Sequence, residues 1–125
     1  MVKSIISMIC VGLILLSGAI WECNYVQKEF NELHDCLQVV YEKVDEQTAT
    51  MDDIYSVQKL WLNKKKTMHM FLPHNEIKEV DLWIAETVTL VRDGEWQDAL
   101  SKIEVLRELS EQIPKSFTVS LSNIF

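Results

Sequence analysis

The stretch Val26-Gln-Lys-Glu-Phe30-Asn-Glu-Leu33-His-Asp-Cys-Leu37-Gln-Val-Val40-Tyr-Glu-Lys-Val44 decides the fold. Its apolar positions Val26, Phe30, Leu33, Leu37, Val40 and Val44 are spaced 4, 3, 4, 3 and 4, which is a heptad seam with polar residues on the opposite face. The spacing predicts a first helix of about 26 residues that ends in the polar stretch Asp45 to Thr50.

On the N-terminal side this helix follows directly on an apolar run. From Ser4 to Trp21 there are eighteen residues without a charge, about 27 Å of helix against a hydrocarbon core of about 30 Å. Trp21 suits the headgroup boundary, and Val2 and the stem of Lys3 lengthen the match. Residues 1–21 are therefore expected to anchor the chain in a membrane, continuous with the first helix, and residues 22–125 to form the domain beyond it. A cleavable signal is the alternative: Lys3 is a minimal basic start, Ile5 to Leu16 an apolar centre, and Ser17-Gly18-Ala19 a small-x-small pattern that would release the domain after Ala19. A buried core helix is the third reading, and it needs a cover on all sides that no other element is apolar enough to give. Ile20, Trp21 and Glu22 stand before Cys23 where a lipoprotein signal has small residues. Lys3 and the free amine lie on one side of the run and Glu22, Glu29 and Glu32 on the other, so the positive-inside rule places the N-terminus in the cytoplasm. Anchored or secreted, the domain is extracytoplasmic.

Downstream, Thr50 followed by Asp53 matches a capping box for a second helix, with Ile54, Val57, Trp61, Met68 and Phe71 near one face, a break at Lys64 and a stop at Pro73. Ile77, Val80, Ile84, Val88 and Val91 mark a third helix closing at Asp93-Gly94. A fourth starts at Glu95 and buries Trp96, Ala99, Leu100, Ile103, Leu106 and Ile113 before Pro114 ends or kinks it. The tail from Lys115 to Phe125 fits a short helix better than a strand, since no partner strand is in sight. Three glycines and two prolines in 125 residues leave little material for hairpin turns. The expected fold is all-α: a transmembrane helix, then an antiparallel bundle of about four helices made of two helical hairpins.

Several chemistries are poorly served. The net charge of -7 disfavours nucleic acid, whose phosphates need a basic surface, and the basic run is limited to Lys64, Lys65 and Lys66. Cys23 and Cys36 are thirteen residues apart on one helix, about 20 Å and too far to bridge. His34, His69 and His74 do not converge in sequence with a ligand set, although His69 and His74 straddle Pro73 with Glu76 close by, so no metal or cofactor is expected. There is no Gly-x-Ser-x-Gly, phosphate loop or His-Glu-x-x-His. A hydrolase would need an unrecognised site built from the abundant glutamates.

Taken with this layout, several short motifs resemble a bacterial family known as domain of unknown function 4363. They are the lysine-rich end of the second helix after Trp61, His74-Asn75-Glu76-Ile77 at the start of the third, the Asp93-Gly94-Glu95-Trp96 turn, and the terminal Leu121-Ser122-Asn123-Ile124-Phe125. The resemblance covers nearly the whole chain. It implies a short protein with an N-terminal membrane segment and a helical remainder, brings no activity, and implies as partner a multi-span membrane protein of the YetF type.

Contact candidates follow from the topology. Lys64, Lys65 and Lys66 read either as a solvated face or, on a helix returning towards the bilayer, as a basic patch near the headgroups. The fourth helix brings Phe117, Leu121, Ile124 and Phe125 back to the same side, to lie on the surface or dock on a partner. His74 and Glu76 open the third helix beside them. Trp61, Trp83 and Trp96 suit a core, but Trp83 lies one residue off its seam and, if exposed, would form a contact patch with Leu82. The function expected from these features is that of a membrane-tethered, non-enzymatic interaction module of the cell envelope, the alternative being a secreted helical binding protein.

Overall fold

The computed structural model describes Met1–Ile124; Phe125 lies outside the described residues. Four helices account for almost all of it: α1 (Val2–Asp45), α2 (Met51–Met68), α3 (His74–Arg92) and α4 (Trp96–Ile124), with no strand among the described residues. The expected anchor and first helix are one unbroken α1 of 44 residues, about 66 Å long. Its second half carries the seam, and Val26, Phe30, Leu33, Leu37, Val40 and Val44 are all buried.

The turns are set by local chemistry. Glu46 caps α1, and Gln47 beyond it takes φ 58°, while the Thr48 amide donates to Lys43 O at 2.8 Å and the Gln47 amide to Val44 O at 3.0 Å. That pair of bonds is a Schellman motif. α3 ends in the same way, with Gly94 at φ 72° and the Glu95 amide on Leu90 O at 2.9 Å. Between them α2 opens with the expected capping box: the Asp53 amide donates to Thr50 Oγ1 and the Thr50 amide to Asp53 Oδ2. Lys43 Nζ also donates to Asp53 Oδ1 at 2.8 Å, and this bond first, then the Thr50 amide, holds the Asp53 carboxyl below its usual range.

Packing is antiparallel around a ring in chain order, α1 against α2, α2 against α3, α3 against α4, and α4 closing on α1. Cross-helix pairs give the register. Late in α1, Lys43 meets the start of α2 at Asp53, while earlier in α1 Glu29 meets the end of α2 at Lys64. Against α4, the Arg107 guanidinium lies over Tyr41 and His34 reaches Glu111 at 3.3 Å. At the centre Phe30 and Trp61 pack at 6.1 Å among Leu33, Leu37, Ile54, Ile84, Ile103 and Leu106. Each such side chain contributes about 1.5–3 kcal/mol on full burial.

Pro114 does not end α4. The helix runs through it, with Ile113 and Pro114 themselves buried, and the segment expected as a separate short helix is the end of α4. Residues before Trp21 stay outside the packed core, and the apolar window of α1 is 0% buried, long and apolar enough to cross a membrane.

Candidate functional site

The three lysines of α2 have three different fates. Lys64 occupies the seam position between Trp61 and Met68, 6% exposed, and its ammonium donates to Glu29 Oε2 at 2.8 Å and to Glu32 Oε2 of α1. Glu29 is 17% and Glu32 50% exposed, so the triad runs from the core to the surface. Burial pushes the Lys64 ammonium down, but the hydrogen bonds and charges of Glu29 and Glu32 outweigh it and leave its pKa raised. The bond from Lys64, followed by its charge, lowers the pKa of Glu32. Lys65 donates to Asp81 Oδ2 of α3 at 2.7 Å, and the other oxygen of Asp81 accepts from Trp61 Nε1 at 2.7 Å. Of the three, Lys66 alone is exposed. Instead of one basic patch, the run makes two cross-helix clamps and leaves a single surface cation.

The end of the bundle that faces the apolar half of α1 is aromatic. Trp21 and Tyr25 stack at 5.5 Å, Tyr25 meets Phe71 of the α2–α3 turn at 5.7 Å, and Phe71 meets Phe117 of α4 edge-on at 6.4 Å. The rings of His69 and His74 lie parallel at 6.0 Å on the outside of this turn. Glu76 is half-buried beside them, and burial first, then the charge of Glu79, raises its pKa. Phe117 and Leu121 are half-buried and Ile124 exposed. The structure thus brings His74, Glu76 and Phe117 to the same end as the α2 lysines. Phe125 lies outside the described residues.

Trp83 sits elsewhere, on the outer face of α3 towards α4. It is half-buried and covered by Lys102, whose ammonium lies 4.6 Å from the ring centroid and 3.5 Å from Glu86. Leu82 beside it is 64% exposed. With Ala85, Thr89 and Leu90 it borders a shallow depression of about 430 Å³. Among the described residues no three His, Cys, Asp or Glu side chains are grouped to hold a metal ion, and Cys10, Cys23 and Cys36 are unpaired.

Sequence reasoning missed Asp81 and the roles of Glu29, Glu32, Tyr25 and Phe71. One signal was available: Ile54, Val57, Trp61, Lys64 and Met68 keep the spacing 3, 4, 3, 4, so Lys64 stands where an inward side chain belongs.

A family model described as Domain of unknown function (DUF4363) matches residues 20–124, and the chain belongs to that family. No curated protein and no solved structure matches it.

Proposed function

We propose that this member of the family is a membrane-tethered, non-enzymatic module of the cell envelope, held by residues 1–21 with its bundle on the extracytoplasmic side, where it contacts another envelope protein. The observation that carries the reading is the unbroken α1: an apolar half of which nothing is buried by the rest of the chain continues, without a linker, into the helix around which the bundle is built. Such a helix fixes the height and direction of the bundle above a bilayer, which suits a part that must be presented to a neighbour. Charged groups on the inner faces are engaged in cross-helix pairs that hold the fold, and the exposed apolar Leu82 beside Ala85 and Thr89 gives a face for a partner. Affinity purification of the full chain in mild detergent should recover a second membrane protein, and Leu82→Arg should lose it while the chain stays folded. Repeated recovery of the chain alone, as a monomer, counts against the proposal.

A further inference from the structure

The last turns of α4 have a composition unlike the rest of the bundle. After Lys115, residues 116–124 carry no charge, in a chain in which a quarter of the residues are charged. Nine helical residues span about 13 Å, close to half of a hydrocarbon core of about 30 Å. Two of their four hydroxyls, those nearest α1, are satisfied within the helix: Thr118 Oγ1 donates to Pro114 O and Ser122 Oγ to Thr118 O, each at 3.0 Å. A hydroxyl bonded to its own helix enters an apolar medium with little unmet polarity.

The placement of these turns is equally specific. Phe117 is level with Tyr25 through Phe71, and from there α4 descends beside α1 towards Leu16. Thr118, Leu121 and Ser122 face Leu16, Ala19 and Cys23 across an open, mostly apolar groove of about 410 Å³. Leu16, Ala19 and Ile20 on the α1 side and Leu121 on the α4 side leave this gap apolar and wide enough for an acyl chain. Leu16 and Ala19 belong to the uncharged run of α1, so whatever surrounds that run at this height also surrounds the end of α4.

We propose that residues 116–124 dip into the bundle-side leaflet of the membrane and lie there against the anchor, with lipid acyl chain filling the groove between the two helices. The bundle is then held by two helices, and its aromatic end of Trp21, Tyr25, Phe71 and Phe117 sits at the headgroup level. This rests on the anchor reading above, and the two fail separately.

The test uses the full chain with Cys10→Ser, Cys23→Ala and Cys36→Ala, reconstituted in phosphatidylcholine–phosphatidylglycerol vesicles with one nitroxide label at Leu13→Cys, Thr89→Cys or Ile124→Cys, all exposed positions. At Leu13 and Ile124 collisions with oxygen should exceed those with an aqueous nickel chelate; at Thr89 the order should be reversed. If Leu13 reports hydrocarbon and Ile124 behaves like Thr89, the dipping helix is overturned and the anchor stands; if Leu13 also behaves like Thr89, both fall. In the otherwise native chain, Ile124→Trp should add emission that brominated acyl chains quench, and added emission that resists quenching overturns the proposal whatever the cysteine substitutions do to folding.

Discussion

Replacing Lys64 by methionine tests whether the bundle depends on its buried charge. Methionine keeps the length of the stem among Phe30, Leu33, Trp61 and Met68 and removes the ammonium, leaving Glu29 and Glu32 without their donor. Breaking a fully buried ion pair costs about 3–5 kcal/mol, whereas an exposed pair is worth almost nothing. Glu32 is half exposed and rehydrates in part, so the larger share of the loss is set by Glu29, which is 17% exposed, and the smaller by Glu32. Between those limits we expect about 2 kcal/mol, or a fall in Tm of about 10 °C for a domain of this size. The pH dependence separates charge from packing. The raised pKa of Lys64 means that its contribution is complete below the ordinary lysine value of 10.5 and is lost as pH rises through the folded-state value. The lowered pKa of Glu32 means that its contribution is present above the ordinary 4.5 and is lost as pH falls through the folded-state value. The gap between wild type and Lys64→Met should therefore be widest in the neutral range and narrow at both extremes. Tryptophan fluorescence and near-UV circular dichroism in detergent are the assays, because they follow the packing around Trp61 rather than total helix content. A variant as stable as wild type at pH 7, or a gap that does not change with pH, refutes the electrostatic reading.

Other expectations follow from single contacts. Asp81→Ala leaves Trp61 Nε1 without its acceptor, which should cost about 1–3 kcal/mol in a urea melt. Gln47→Gly removes the left-handed strain at φ 58° and, after the entropy a glycine loses on folding, should stabilise the domain by about 0.5–1 kcal/mol; a loss of stability would show that Gln47 is not strained. Thr50→Ala breaks the capping box and should cost about 1 kcal/mol in the same melt. Mass measurement of the protein from membranes should find the segment before Ile20 intact, and a chain that begins at Ile20 would establish the cleaved signal instead.

How far the sequence foretold this molecule depends on whether the deciding interaction was local. The α1 seam, the Thr50–Asp53 box and the Gly94 terminus are each written within a few residues, and each is found where expected. Lys64 is the opposite case. Its spacing from Trp61 and Met68 points inward, but a lysine can face inward only if carboxylates arrive from elsewhere, and Glu29 and Glu32 stand 35 and 32 residues away. Their arrival depends on the antiparallel register of α1 and α2, which no window of either helix contains. The same run placed Lys65 against Asp81, a residue that had no local reason to stand out.

Pro114 marks the same boundary for backbone structure. The local rule ends a helix there, because proline removes the amide that would serve the Ser110 carbonyl and its ring crowds that carbonyl. The cost is confined to one turn, while continuing the helix keeps Ile113 and Pro114 buried and sets Thr118 and Leu121 beside Ala19 and Cys23. Neither gain exists for α4 alone: the first requires the bundle, and the second the continuation of α1 below it. The last turns of α4 thus lie against the apolar half of α1, and removing residues 1–19 should loosen the turns beyond Pro114 before it loosens the core built on Phe30 and Trp61. Faster amide exchange over residues 116–124 in the shortened chain, with exchange at the centre of α2 unchanged, is the expected result. Equal protection in both chains would mean that the tail is held by the bundle and owes nothing to residues 1–19.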